Sequence, residues 1–418
     1  MITQPYFQTI EQLSYAKKIP SEYIPACHLI YSSPATLSYN SPGALGFGVK
    51  RAGLVIPESV MLLISPASCG RNSTILSAQE GYAKRMFYLL MSETDLVTGR
   101  HLKKIPQAIE EILEVCDPKV VVLCITCVDA LLATDLEHIA KQCQEKTGVI
   151  VVPSYMYALE REGRKPPMMA IRQTIYSLLK RDRIDPRMVN LMGFFSPIDS
   201  ELIDLLQAAG LHTINQVSTM KTLEAYYTMG QANFNLVLDP ESIYAAEDLK
   251  KRLGMPYIEL PRLYDVERVH RLYHLFGQAI GVSLPDESYY VETKEMIHRI
   301  DLTNKKICIG EMCNANPFEL ACALSQQGAI ICEIFANVTD YDKPWIQRLE
   351  KTSSDTKVYT GISPTMIHYE PREDIDFVIG KDASDYYPEV PAILWNAENQ
   401  PYGYKGIQGL YAEMEAIL

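Results

Sequence analysis

The chain has 418 residues, and at roughly 100–200 residues per domain this length predicts about two to four domains. A hydrophobic fraction of 47%, a charged fraction of 22% and the lack of any apolar run near ~20 residues argue against a membrane protein. The net charge of −12, with no Lys/Arg-rich block, excludes nucleic acid as an expected partner because counterion release needs a basic face.

The N-terminal residues and the cysteines indicate a reducing compartment. Residues 1–5 lack a basic stretch followed by an apolar core, so we predict no secretory signal and a cytoplasmic location. Ten cysteines in a long chain without a signal do not form an expected disulfide framework. Most are expected to be packing residues, and the remainder reactive thiols or metal ligands.

Strands and helices alternate along the chain, which is typical of βαβ units and parallel sheets. The predicted strands are continuous apolar runs, as expected where helices cover both faces of a sheet. They are residues 60–64, 119–125, 148–152 (ended by Pro153), 188–195, 234–238, 306–310, 329–334 and 377–380. The predicted helices cover residues 129–141, 200–209, 242–253 and 317–327.

Two polar, proline-containing stretches, residues 161–167 and 284–293, mark the expected seams between domains. We therefore predict an α/β fold with three Rossmann-like, doubly wound parallel-sheet domains around a central cleft. Their expected bounds are residues 1–165, 166–290 and 291–418.

The common nucleotide-binding motifs are missing from the sequence. No Gly-x-Gly-x-x-Gly segment follows a predicted strand, and no Gly-x-x-x-x-Gly-Lys-Ser/Thr loop occurs. The chain is therefore not expected to bind a dinucleotide or to hydrolyse ATP itself.

Two cysteines follow predicted strands directly. Cys69 comes after the run at 60–64, and Cys127 comes after the strand at 119–125. Open α/β sheets place their sites at the carboxyl ends of strands, and a thiolate near the next helix N-terminus is a suitable ligand for iron. The alternatives are ordinary buried cysteines, or a redox pair with Cys124, although Cys124 lies within the strand run.

A second candidate is the loop that follows the strand at 306–310. Glu311 and Cys313 lie there, before the predicted helix, and are candidates for a ligand or a proton donor in catalysis. Asn316 directly precedes Pro317, a pairing typical of a helix N-cap. Helix capping alone is therefore the alternative function of this loop.

Four segments resemble nitrogenase component 1 proteins, in the same order and with similar spacing over nearly the whole chain. They are residues 125–137 around Cys127, Ser-Pro-Ala-Ser-Cys at 65–69, Asp-Leu-Val-Thr-Gly at 95–99, and Pro-Tyr-Gly-Tyr-Lys-Gly at 401–406. The family includes molybdenum–iron protein subunits, cofactor scaffolds and protochlorophyllide reductase-like subunits.

The resemblance implies a metal site and two partners. It implies an iron–sulfur cluster, of the 4Fe-4S type, shared at a subunit interface with Cys69 and Cys127 as ligands. It also implies pairing with a homologous subunit or a second copy of the chain, and electrons from an ATP-hydrolysing iron protein. The family's first cluster cysteine is replaced by Asn40 or Ser41, so Cys27 is a candidate third ligand.

The same resemblance limits the activity. The family's large active-site cofactor needs a cysteine and a histidine, and the matching positions hold Asp239 and Leu394. We therefore expect an oxidoreductase that reduces a small molecule or a cofactor other than N2. The alternatives are a non-catalytic scaffold for metallocofactor assembly, or a cluster-free binding module.

Overall fold

The computed structural model describes residues 4–24, 53–67, 84–126, 128, 132, 134–156, 167–194, 196–397 and 399–418. The strands are β1 (Phe7–Thr9), β2 (Ser59–Pro66), β3 (Met86–Met91), β4 (Val120–Thr126), β5 (Ile150–Met156), β6 (Asp185–Met192), β7 (Thr213–Gln216), β8 (Ala232–Val237), β9 (Tyr257–Glu259), β10 (Lys306–Gly310), β11 (Ile330–Phe335), β12 (Lys357–Tyr359), β13 (Phe377–Ile379) and β14 (Ala392–Ile393).

The α-helices follow the same chain order. They are α1 (Ile10–Tyr15), α2 (Glu93–Thr98), α3 (Arg100–Val115), α4 (Leu136–Thr147), α5 (Pro167–Ile175), α6 (Leu202–Ala208), α7 (Leu223–Thr228), α8 (Ile243–Leu253), α9 (Val266–Ile280), α10 (Glu287–Arg299), α11 (Pro317–Ser325), α12 (Lys343–Ser353), α13 (Lys381–Tyr386) and α14 (Tyr404–Ile417).

The described strands form three sheets. The N-terminal sheet has the order β3-β2-β4-β5, and the middle sheet has the order β7-β6-β8-β9. The C-terminal sheet has the order β1-β12-β11-β10-β13-β14. All pairs are parallel except β1 with β12, which confirms the predicted α/β class with parallel sheets.

The predicted strands are all present with small shifts of their ends, because each is an apolar run with both faces buried. In β4 every residue is buried, and alternate side chains enter two separate clusters. Val122 and Cys124 pack on one face, whereas Val121 and Leu123 pack on the other. Apolar packing therefore covers both faces of the N-terminal sheet.

Two predicted boundaries were wrong. Pro153 does not end the third predicted strand: β5 continues through it to Met156, opposite Leu123 of β4. β5 is an edge strand, where a residue without an N–H is tolerated. The helix predicted to end at residue 141 continues to Thr147 in α4, whose N-cap is Asp135. Residues 129–131 and 133 lie outside the described residues, so the predicted start stays a prediction.

The described residues fall into two compact units. One holds the N-terminal and middle sheets and comprises the described parts of 41–197 and 213–260. The other holds the C-terminal sheet and comprises the described parts of 1–40, 198–212 and 261–418.

The first described strand belongs to the C-terminal sheet. Phe7 of β1 lies opposite Tyr359 of β12. The Tyr23 hydroxyl accepts the Gln8 N–H at 2.9 Å and donates to the Val358 carbonyl at 2.8 Å. The prediction placed these residues with the first domain, but their strand pairing is with the last sheet. The internal boundaries near residues 165 and 290 stay a prediction.

Within the described ranges, no helix combines the length and the apolar character that crossing a bilayer requires.

Candidate functional site

The N-terminal sheet has its topological switch point between β2 and β4. The chain continues from β2 outward to β3 on one side and from β4 outward to β5 on the other. The two central strands are in register, with Ile64 opposite Ile125. Open α/β sheets bind their ligands outside the carboxyl ends of the strands at this place.

The three cysteines predicted as metal ligands, Cys27, Cys69 and Cys127, lie outside the described residues. In the sequence, Cys69 follows Pro66, the last residue of β2, by three positions. Cys127 directly follows Thr126, the last residue of β4. Their part in metal binding stays a prediction.

Three buried hydroxyl groups lie at the carboxyl half of this sheet without a hydrogen-bond partner. They belong to Ser65 on β2, Thr126 on β4 and Ser154 on β5, with exposed fractions of 0%, 1% and 0%. An unsatisfied buried hydroxyl costs about 1–3 kcal/mol, so native proteins rarely leave such groups unpaired. Sequence analysis missed this feature.

The three hydroxyls fit an iron–sulfur group at the switch point. A hydroxyl donates one hydrogen bond, and the sulfur atoms of such a cluster accept hydrogen bonds. Each of the three hydroxyls comes just after a predicted apolar run, at 60–64, 119–125 or 148–152, and this pattern is the sequence signal that marks the feature.

Most of the described cysteines are buried packing residues. Cys116, Cys124, Cys143, Cys308, Cys313, Cys322 and Cys332 are all free thiols. Burial raises the pKa of Cys143 and Cys332, which keeps these thiols protonated and unreactive. Cys124 is fully buried in the core of the N-terminal sheet, as its place in the strand run indicated.

Glu311 and Cys313 lie in the loop after β10, where hydrogen bonds hold both side chains. The Glu311 carboxylate accepts the Asn337 backbone N–H at 2.8 Å and its side-chain amide at 3.2 Å. The Cys313 thiol donates to the Gly310 carbonyl at 3.2 Å, and burial raises the pKa of this thiol. A role for either residue in catalysis stays a prediction.

A buried carboxylate fixes the beginning of the same loop. Asp382 accepts the backbone N–H groups of Glu311 at 2.9 Å and Met312 at 3.0 Å. Burial raises the pKa of Asp382 to about 6, although these hydrogen bonds favour its charged form. A Cβ on Gly310 would overlap the carboxylate, so only glycine fits there.

Asn316 caps α11, as the Asn-Pro pair predicted. Its side-chain oxygen accepts the backbone N–H groups of Phe318 and Glu319, both at 3.0 Å. Pro317 occupies the first turn of the helix, where its missing N–H has no cost.

The carboxyl end of the middle sheet is occupied by an ion-pair network. Arg172 is buried; it donates to the Gly193 carbonyl at 2.7 Å and lies 3.0 Å from Glu241. Asp239 caps the following turn through the Glu241 N–H at 2.8 Å and lies 3.8 Å from Arg172. The residue that stands where the family resemblance places a cofactor cysteine is therefore held by its own turn.

The segment at 401–406 has a structural role in this chain. Gly403 precedes α14 with a φ of +73°, and a Cβ there would lie 2.1 Å from the Glu201 carboxylate. Glu201 is fully buried and accepts the Tyr404 N–H at 2.9 Å and the Tyr273 hydroxyl at 2.7 Å. Burial raises the pKa of Glu201 against the effect of these hydrogen bonds.

The segment at 95–99 also has a structural role. Asp95 completes a capping box with Ser92 at the start of α2 and accepts hydrogen bonds from Arg100 at 2.8 Å and Lys104 at 2.9 Å. The hydrogen bond from Arg100, with that from Lys104, holds the pKa of Asp95 well below its ordinary value.

The described part of the chain contains no group of three or more His, Cys, Asp or Glu side chains that is arranged to hold a metal ion.

Comparison with known proteins identifies the family. The family described as nitrogenase component 1 type oxidoreductase matches residues 46–414, so the chain belongs to this family. The fold agrees: a nitrogenase structure described as Nitrogenase Cp1 at pH 6.5 has a TM-score of 0.72 and 17% identity, covering 88% of this chain and 90% of that one.

Curated relatives carry two kinds of name. The nitrogenase molybdenum-iron protein alpha chain of Methanosarcina barkeri is 22% identical over 49% of this chain and 41% of that protein. The nitrogenase iron-molybdenum cofactor biosynthesis protein NifE of a Nostoc species is 24% identical over 61% of this chain and 55% of that protein. The chain thus spans about half the length of the curated relatives that it matches.

Proposed function

We propose that the chain is one subunit of a nitrogenase-like reductase that holds an iron–sulfur cluster at the carboxyl edge of the N-terminal sheet. Cys69 and Cys127 supply its ligands from this chain, with Cys27 as a candidate third. The observation that carries the proposal is the register of β2 and β4 at the switch point, because these two strands lead directly into Cys69 and Cys127.

The length of the peptide supports this ligand pair. Consecutive Cα atoms are ~3.8 Å apart, and parallel neighbouring strands are ~4.8 Å apart. Cys69 lies three positions after Pro66, and Cys127 directly follows Thr126. The backbone can therefore bring both thiolates to one four-iron cluster without any change in the strands that precede them.

The proposed cluster is shared with a homologous subunit or a second copy of the chain, which supplies the remaining ligands. It supplies one-electron transfer at low potential, and burial at an interface with hydrogen bonds to its sulfurs sets that potential. An ATP-hydrolysing iron protein is the proposed electron donor, in the cytoplasm. The apolar cores on both faces of the N-terminal sheet keep water away from its central strands.

Reduction of a small molecule or a cofactor other than N2 is the proposed reaction. Asp239 is engaged by its turn and by Arg172, and Leu394 offers no metal ligand. Glu311 and Cys313 are proposed proton donors near the third sheet. The raised pKa keeps the proton on the Cys313 thiol at neutral pH.

A role in cofactor assembly is the second candidate. Several of the curated relatives are named as iron-molybdenum cofactor biosynthesis protein NifE, and they match 40–66% of this chain. In that case the chain holds an iron–sulfur group as a scaffold and passes it to an acceptor protein without turnover.

The metal content of anaerobically purified protein tests the site. We expect roughly two irons and two sulfides per chain, because a four-iron cluster is shared by two chains. Both Cys69→Ala and Cys127→Ala should remove them, whereas the control Cys116→Ala, at a half-buried thiol after α3, should not. Iron-free wild type, or iron retained in both variants, would overturn the proposal.

A second assay separates the two roles. With an iron protein and MgATP, a reductase consumes electrons in a reaction that depends on its substrate. A scaffold instead loses its iron and sulfide to an apo-acceptor, without electron consumption.

A further inference from the structure

We propose that Ser65, Thr126 and Ser154 form a hydroxyl row that donates hydrogen bonds to the sulfur atoms of the cluster and raises its reduction potential. This inference rests on the proposed function, since it assigns the residues that tune the cluster held by Cys69 and Cys127.

The register of the strands brings the three hydroxyls together on one face. Ile64 lies opposite Ile125, so the next residues, Ser65 and Thr126, are neighbours on strands ~4.8 Å apart. Ser154 lies opposite Cys124, two positions before Thr126. The hydroxyl row therefore crosses the switch point from β2 to β5.

The face of the hydroxyl row is set by the alternation of side chains along each strand. Leu63, Cys124 and Val152 precede the three hydroxyl residues by two positions and belong to one apolar cluster. The hydroxyls thus continue the same face towards the carboxyl edge. The side chains of Leu63 and Val152 beside them offer no hydrogen-bonding group, and Cys124 offers only a weakly bonding thiol.

Among the described residues, two further buried hydroxyls, those of Ser218 and Tyr411, also lack a partner, but neither lies on the N-terminal sheet, and several buried hydroxyls elsewhere are paired. Ser59, at the opposite end of β2, accepts a hydrogen bond from Arg85 at 3.2 Å. Ser242 accepts one from Arg172 at 3.3 Å, and Thr360 donates to Asn337 at 2.8 Å. Unpaired hydroxyls on three adjacent strands therefore point to an acceptor outside the protein groups, at the strand ends.

The hydroxyl row is expected to raise the reduction potential because of the charge that the cluster gains on reduction. Reduction adds one negative charge to the cluster, and a hydroxyl proton directed at a sulfur stabilises that charge. Each hydrogen bond from the hydroxyl row therefore makes reduction easier.

Spectroelectrochemical titration of the anaerobically purified protein tests the inference. We expect Ser65→Ala, Thr126→Val and Ser154→Ala each to lower the reduced-to-oxidised ratio at a fixed potential about tenfold, which is ~59 mV for one electron. Thr126→Ser keeps the hydroxyl and should keep the wild-type midpoint. Ser59→Ala changes the same strand at its other end and should also leave the midpoint unchanged.

The apoprotein gives an independent readout. Without the cluster the three hydroxyls lack an acceptor, so Ser65→Ala and Thr126→Val should raise the melting temperature of the apoprotein. A lower melting temperature would show that the hydroxyls bond within the protein and would overturn the inference.

The two proposals fail differently. If wild-type protein contains no cluster, both are overturned. If wild type and all three variants contain the cluster with the same midpoint, the hydroxyl row is overturned and the proposed cluster site stands.

Discussion

The carboxylate of Glu201 accepts a hydrogen bond from the backbone N–H of Tyr404 at 2.9 Å, across about half the length of the chain. This contact satisfies the first turn of α14, whose preceding residue is Gly403. The arrangement explains why the segment at 401–406 has its sequence: the turn must approach a buried carboxylate closely.

Replacing Gly403 tests this arrangement. Gly403→Ala puts a Cβ against Glu201 in a backbone conformation that favours glycine, so we expect a loss of about 2–5 kcal/mol in the free energy of unfolding. Gly254→Ala is the matched control, since Gly254 has a φ of +65° and open space around it. It should cost only about 1 kcal/mol. Urea unfolding measures both, and equal losses would contradict the close approach.

The pH dependence of stability is expected to carry a contribution from Asp382. Its pKa is raised to about 6 in the folded protein, against 3.8 as the ordinary value. The folded state therefore binds more protons between these two values, and its stability falls as the pH rises from about 4 to about 6.

Asp382→Asn should remove this part of the slope, which amounts to about 2–3 kcal/mol at most. Urea unfolding at several pH values, with Asp385→Asn on the exposed side of the same helix as control, measures it. A slope of unchanged size in Asp382→Asn would contradict the raised pKa.

We expect that lysine cannot replace Arg172 without a loss in the free energy of unfolding. Lysine lacks the planar fork that contacts Glu241 and the Gly193 carbonyl together, so Arg172→Lys should cost about 2–3 kcal/mol. The exposed Arg183, which bonds Gln231 at 2.9 Å, provides the control Arg183→Lys, with an expected change within about 0.5 kcal/mol. Thermal and urea unfolding compare the two, and similar losses would contradict a special role of the fork.

A ladder of asparagines across the middle sheet gives a graded prediction. Asn190 donates to Asn235 at 2.8 Å and to the Met229 carbonyl at 3.0 Å, and it accepts from Asn215 at 3.0 Å. Asn190→Ala leaves buried partners unsatisfied and should cost about 2–4 kcal/mol.

Asn235→Ala should cost less, because it also removes a side-chain N–H group that has no partner. Urea unfolding of the two variants provides the comparison. A larger loss in Asn235→Ala would contradict the ladder as described.

Most central strands were predictable from the sequence because burial on both faces leaves a continuous apolar run, as at 119–125. The edge strands β1, β3, β7, β9 and β14 and the three-residue interior strand β12 were not predicted, since short or partly exposed strands carry a weaker signal. The end of β5 was mispredicted because a proline gives no indication of whether its strand lies at an edge.

Site features were predictable where they depend on local sequence. The Asn316–Pro317 cap needs only four consecutive residues, 316–319. The hydroxyl row depends instead on the register of three strands that begin far apart in the chain. Each of Ser65, Thr126 and Ser154 alone is an ordinary small residue, and only the sheet order brings them together.

The pairing of β1 with β12 has a consequence for synthesis on the ribosome. Phe7 can pair with Tyr359 only after Tyr359 has been synthesised. At 5–20 residues per second, the time between the synthesis of the two residues is roughly 20–70 s. The segments of the unit that holds the N-terminal and middle sheets are complete by residue 260, so that unit can fold during the interval. The nascent chain thus carries an exposed β1 strand for much of its synthesis, and a chaperone that binds extended apolar segments has its longest opportunity there.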